Sequence, residues 1–251
     1  MSVSNCCITG FSWQGTPTGR TGNLAANDTY ITGTNPDAAI LFIPDLFGWT
    51  FPNIRLLADH YAREINATVY VPDFFGGEIL DFDLLASEQF AQLDLPGFLY
   101  RNGREQREAE IFDCARALKA QLGYKKVGAV GYCYGGWASL RLGAAEHEPA
   151  LVDCISIGHP SLTTKADIDG VAVPVQVLAP EIDPVYSAGL KMYTFETLLK
   201  KGNVPFDYQH FPGVVHACFV RGDEGKAGER EAMVRGKDAA VGWLRRFLKD
   251  V

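Results

Sequence analysis

The sequence predicts an α/β fold: a mainly parallel central sheet with helices on both faces. Two patterns and one bulk property predict it. Apolar runs of strand length alternate about six times with amphipathic runs of helical length, the signature of repeated strand–helix units. The strand runs are continuously apolar rather than alternating, as strands covered on both faces are. The chain has 251 residues, 47% hydrophobic and 21% charged, which suits one domain with a sizeable core.

The elements follow in order. Residues 1–36 are rich in Gly, Thr and Asn and read as an N-terminal arm with a short strand or hairpin near Asp28–Thr32. Ala38–Gly48 is a buried strand ending in a loop. In Asn53–Asn66, Ile54, Leu57, Ala58 and Tyr61 share a helical face. Ala67–Gly77 is a second buried strand, stopped by Pro and Gly. Residues 78–103 break the rhythm; apolar, acidic and irregular, they read as one or two short helices and form a lid candidate. Arg104–Leu122 is a helix with Ile111, Cys114, Ala115, Leu118 and Leu122 on one stripe. A strand (Lys125–Cys133), a helix (Gly135–His147) and two strands (Leu151–Pro160, Val173–Pro184) come next. A helix over Val185–Lys200 leads to the last strand and its exit loop, Phe206–His216. The C-terminal helix carries Ala232, Val234, Ala239, Val241, Trp243, Leu244 and Phe247. No repeat, low-complexity tract or linker interrupts the chain, so 1–251 reads as a single domain. In such sheets function gathers at the carboxyl ends of the strands.

The net charge of −7, with no long basic cluster, argues against nucleic acid and anionic membranes as partners. The N-terminus lacks a basic region followed by an apolar one, so it does not read as a signal peptide, and no apolar run is long enough to span a bilayer. A soluble, cytoplasmic protein is expected. Six cysteines occur without a C-x-x-C spacing, so neither a zinc site nor a disulfide framework is expected, and no metal or cofactor is required.

Gly131-Tyr132-Cys133-Tyr134-Gly135 lies between a strand and a helix and fits the nucleophile elbow. The flanking glycines allow close strand–helix approach, and the central side chain projects from the carboxyl edge of the sheet. The helix N-terminus behind it favours a thiolate and then an oxyanion. The alternative is a buried structural thiol. A thiol nucleophile needs a base and the base an orienting acid, in the chain order nucleophile, acid, histidine. His147 reads as a solvated helix-end residue and His210 as structural. His159 ends a strand and could reach the site, but it precedes the acid candidates and reads as pocket-lining or loop-fixing. His216, in the loop after the last strand, is the best base. Glu181 and Asp183 both follow the preceding strand; Asp183 is better placed, with a helix N-cap as its alternative role.

The chain resembles the dienelactone hydrolase family, a branch of the α/β-hydrolases, and is most similar to its fungal-type members. The segments that carry the resemblance are Cys6, Cys7 and Gly15–Gly19, Leu41–Trp49, Val71–Glu78, the elbow, Gly158–Ser161 and Phe211–Gly222. The resemblance implies the α/β-hydrolase fold and a Cys133–His216–Asp183 triad. It also implies an oxyanion hole from the backbone amides of Leu46 and Tyr134. The expected reaction is hydrolysis of a small carboxylic ester or lactone through an acyl-thioester. The family usually has a glutamate at Asp45, tied to the resting thiol; aspartate is one methylene shorter. Arg221 lies near a position where the family grips a substrate carboxylate, although shifted by one, whereas Arg104 and Arg107 read as surface helix charges. Phe47, Trp49, Tyr132 and Tyr134 suggest a fairly apolar pocket, and each is also plausible as core. The same triad would serve a thioesterase, a lactone-forming cyclase or a C–C bond hydrolase; a further reading is an inactive scaffold that binds, or senses redox state through Cys133. A monomer or homodimer is expected.

Overall fold

A computed structural model of the protein describes residues 12–81, 84 and 92–249. In chain order the strands are Arg20–Leu24 (β1), Asn27–Thr32 (β2), Ala38–Ile43 (β3), Thr68–Pro72 (β4), Lys126–Tyr132 (β5), Cys154–Gly158 (β6), Val175–Ile182 (β7) and Phe206–Val215 (β8). The helices are Pro52–Tyr61 (α1), Leu95–Arg101 (α2), Arg104–Arg116 (α3), Gly135–Leu142 (α4), Lys165–Gly170 (α5), Ala188–Lys201 (α6), Cys218–Arg221 (α7) and Ala227–Leu248 (α8). Single π-helical turns, Ala62–Asn66 and Ala117–Gln121, prolong α1 and α3.

The eight strands form one sheet in the order β1-β2-β4-β3-β5-β6-β7-β8. The β1–β2 hairpin joins β4 antiparallel, and every pairing from β4 to β8 is parallel. All of β3 is buried, which is why its sequence, AAILFI, shows no alternation. Thus β5, which leads into the elbow, lies between β3 and β6 and delivers Cys133 to the middle of the carboxyl edge.

Several boundaries differ from the sequence reading for identifiable reasons. Helix α4 stops at Leu142, short of His147. The amide of Ala145 bonds the Gly170 carbonyl and the Gly143 carbonyl accepts from Ala172, which removes groups that a longer helix would use. His147 is therefore not a solvated helix end: it packs edge-on against Phe112, and its Nε2 lies 3.0 Å from the Arg141 carbonyl oxygen. Helix α5 was not anticipated. Thr164 and Asp167 form its capping box, each side chain accepting from the other residue's amide.

Arg104 and Arg107, expected as surface charges, are struts. Arg104 donates from both Nη atoms to the Asp167 carboxylate at 2.7 Å and lies over the Trp137 ring. Arg107 donates twice to Asn102 Oδ1. Cys6, Cys7 and much of the lid candidate lie outside the described residues; the far end of the latter is α2. Among the described residues no helix is long and apolar enough to cross a membrane.

Candidate active site

The elbow needs its glycines for space. A Cβ on Gly131 would lie 2.0 Å from the Gly135 carbonyl oxygen, and one on Gly135 would lie 2.2 Å from the Ile43 carbonyl oxygen. Between them Cys133 takes φ 51°, a left-handed conformation that costs a non-glycine residue about 1–3 kcal/mol. Hydrogen bonds hold it there. Its amide donates to the Gly158 carbonyl at 3.1 Å, and its carbonyl accepts from Gly136 at 3.0 Å and Ser161 at 2.8 Å.

Three strand ends then converge. Cys133 Sγ lies 3.2 Å from His216 Nε2, and His216 Nδ1 lies 2.8 Å from Asp183 Oδ2. Asp183 follows β7 and His216 follows β8. The His216 amide bonds the Ile182 carbonyl, and Ala217 at φ 70° turns the chain into α7. Asp183 also serves the local turn: its Oδ1 accepts from the amides of Val185 and Tyr186, so α6 starts later and is capped by Ser187. The capping and histidine-orienting roles of Asp183 thus use different oxygens of one carboxylate.

The chain is secluded from solvent, with Cys133 0%, His216 2% and Asp183 7% exposed. Burial alone would lower the His216 pKa. The negative charge of Cys133 and the Asp183 carboxylate outweigh it and push His216 up to about 10. Beside an ionised thiol, an imidazole with an anion on either side is thereby held protonated.

Asp45 and Arg221, separate candidates in sequence, form a buried ion pair, with Arg221 Nε 2.6 Å from Asp45 Oδ2. Asp45 Oδ1 accepts from the Phe47 amide, and the Arg221 guanidinium lies over the Phe47 ring. Burial pushes the Asp45 carboxyl up against the pull of Arg221, and Cys133 adds to the push. Arg221, a substrate-binding or gating candidate in the sequence, is engaged by Asp45 inside the protein and only 2% exposed. Leu46 sits in the turn closed by the Gly48 amide on the Asp45 carbonyl, and Tyr134 heads α4, where the first amides lack intrahelical acceptors.

The remaining candidates divide. Tyr132 belongs to the core, its hydroxyl bonded to that of Tyr61 and its ring against Phe42. The Tyr134 hydroxyl donates to the Asn102 carbonyl. Trp49 is partly buried beneath Arg55. His159 is wholly buried beside His216, with ring centroids 4.9 Å apart, and stacks on Phe219. Neither of its ring nitrogens has a hydrogen-bond partner among the described residues. Burial first, then the charges of His216 and Arg221, hold its pKa well below the usual 6.5. Sequence reasoning missed Ser161, whose Oγ is 3.6 Å from Cys133 Sγ; the Gly158–Ser161 segment stood out, but not its hydroxyl. Among the described residues no group of three His, Cys, Asp or Glu side chains could hold a metal ion.

The comparisons with known proteins extend over this whole assembly. The chain is 29% identical over 250 residues to "Hydrolase pyvD" of Aspergillus violaceofuscus, covering 98% of this chain and 97% of that one. It is 27% identical to "Hydrolase tropI" of Talaromyces stipitatus, again over 98% and 97% of the two chains. Among solved structures, a dienelactone hydrolase-like promiscuous phosphotriesterase from metagenomic libraries superposes with a TM-score of 0.69 at 19% identity, covering 92% of this chain and 98% of its own. That likeness bears on the fold, which is the α/β-hydrolase fold. The model of the dienelactone hydrolase family matches residues 28–248, from β2 to the end of α8 and so through every side chain described at the site; the chain belongs to that family and is a dienelactone hydrolase-like hydrolase.

Proposed function

We propose that this hydrolase cleaves a small carboxylic ester or lactone, with Cys133 as nucleophile, His216 as base and acid, and Asp183 as the group that orients His216. The observation that carries the reading is the continuous Asp183–His216–Cys133 chain ending on a thiol at φ 51°. A strained, glycine-framed cysteine with both partners in hydrogen-bond reach is costly as mere packing and well suited to nucleophilic catalysis.

The steps follow from the geometry. With the Cys133 proton already on His216 Nε2, the thiolate attacks the carbonyl carbon. The carbonyl electron pair moves to oxygen, where the amides of Leu46 and Tyr134 receive it. On collapse the C–O bond breaks and His216 protonates the departing alkoxide. Water, deprotonated by His216, then attacks the thioester; the C–S bond breaks, and the acid leaves. Thiolates acylate readily but are also good leaving groups in the tetrahedral intermediate. A lactone suits such a nucleophile because its alcohol stays tethered to the acyl chain.

The test is turnover of a panel of activated esters and carboxylated lactones by the wild type, Cys133→Ala, His216→Ala and Asp183→Asn. Turnover by the wild type, abolished in the first two variants and reduced about 10³–10⁴-fold in the third, is expected. Undiminished turnover in Cys133→Ala would remove the thiol from the mechanism.

A further inference from the structure

Ser161 places a side-chain hydroxyl beside the sulfur, and the loop that carries it is built round the elbow. Gly158 accepts from the Cys133 amide and Ser161 donates its own amide to the Cys133 carbonyl, so the loop clasps both backbone polar groups of the cysteine. His159 at φ 36° and Leu162 at φ 55° stand on either side of Pro160-Ser161, and both are non-glycine residues in the left-handed region. A Cβ on Gly136 would lie 2.4 Å from Pro160 Cβ, so the elbow's last glycine makes room for this loop. Strain at two positions and a vacated Cβ bring a hydroxyl to 3.6 Å from Sγ at a site where Ser161 is only 8% exposed. A thiolate has no proton to give, so once Cys133 is ionised the hydrogen bond has one direction: Ser161 Oγ–H donates to sulfur.

We propose that Ser161 is a hydrogen-bond donor to the Cys133 thiolate, holding the sulfur between its own hydroxyl and His216 and receiving the charge when the acyl-enzyme is hydrolysed. The kinetic part of this inference rests on Cys133 being the nucleophile; the part about the ionised sulfur does not. During acylation sulfur loses its charge as the C–S bond forms, and the Ser161 bond weakens. During hydrolysis of the thioester the C–S bond breaks, its electron pair returns to sulfur, and His216 Nε2–H and Ser161 Oγ–H are in place to receive it. Ser161 therefore favours the resting thiolate and the second half of the reaction, not the first.

The experiment titrates the ultraviolet thiolate absorbance of the full chain, wild type and Ser161 variants, each with its Cys133→Ala counterpart subtracted. Ser161→Ala is expected to move the thiolate midpoint up by about half to one pH unit, and Ser161→Thr, which keeps the hydroxyl, to return it. Ser161→Gly serves the same purpose as Ser161→Ala if the latter does not fold. An unmoved midpoint in the variant lacking the hydroxyl, or a shift that Ser161→Thr leaves in place, overturns the proposal. This reading needs no turnover, so it stands or falls separately from the hydrolytic mechanism. On any ester the wild type does hydrolyse, Ser161→Ala should lower kcat about three- to tenfold and KM with it, leaving kcat/KM near wild type as acyl-enzyme accumulates. A loss confined to kcat/KM contradicts the assignment to deacylation.

Discussion

Arg104 meets Asp167 with both guanidinium nitrogens at 2.7 Å, and Thr164 adds its amide and hydroxyl to the same carboxylate. Arg221 meets Asp45 behind the elbow at 2.6 Å, with Cys133 as a further anionic neighbour. The residue types are the same and the balance is opposite. At Asp167 burial pushes the carboxyl up, but Arg104 and Thr164 outweigh it and hold it below its usual range. At Asp45 burial prevails over Arg221, and Cys133 pushes the same way. The first pair is completed by the amide and hydroxyl of the helix cap, and it staples α3 to α5. The second is left at an electrostatic disadvantage beside the candidate nucleophile. Elements that only hold the fold are satisfied locally, whereas a reactive site retains unfavourable terms that the surrounding core must hold in place.

The comparison can be broken most forcefully at Arg221. Arg221→Met leaves a buried carboxylate without its guanidinium and should cost about 3–5 kcal/mol in urea denaturation, most of it recovered by adding Asp45→Leu. A double variant no more stable than the single would mean that the pair is not what the fold depends on there. At the stapled pair, Asp167→Asn should cost about 1.5–3 kcal/mol near neutral pH without altering hydrolysis. Because the folded carboxyl sits below 3.8, its contribution is present above that pH and lost as pH falls through the lower folded value. The gap between wild type and variant should therefore close in acid; a gap that persists there would assign the loss to packing.

The smallest effect concerns His159. It is held well below its usual 6.5 when folded, so the unfolded chain takes up a proton that the native state refuses. Its contribution is intact above 6.5 and erodes as pH falls. His159→Phe keeps an aromatic ring to pack against Phe219 and removes two unsatisfied nitrogens. The variant should match the wild type in stability to within about 1 kcal/mol at neutral pH. It should gain on the wild type by up to about 1.4 kcal/mol per pH unit in acid. Parallel stability curves for the two proteins would show that His159 titrates normally.

Much of the architecture was legible because it rests on local pattern. Continuous apolar runs gave away strands such as β3 and β5, and the stripe of Ile111, Cys114, Ala115 and Leu118 marked α3. The elbow was legible because its glycines fall at fixed spacings round the cysteine, although the contacts that demand Gly135 and Gly136 come from Ile43 and Pro160, far away in the chain. Helix α5 had a readable signal in Thr164-x-x-Asp167, overlooked because the segment carries little apolar periodicity. The pairing of Asp45 with Arg221 and the aim of Ser161 at sulfur were not legible: each joins residues from separate loops, and only the order of strands in the sheet brings those loops together. The π-helical turns ending α1 and α3 had no recognised signal either.

The seclusion of Cys133 has a consequence for how its reactivity will present itself. A thiol with no exposed surface meets a reagent only during the excursions in which the fold parts, so its labelling is gated by breathing. With a sufficiently fast electrophile, the rate of modification should cease to follow reagent concentration and level off. That plateau is the opening frequency of the site, and under the proposed mechanism it would set a ceiling on throughput however well the sulfur is prepared.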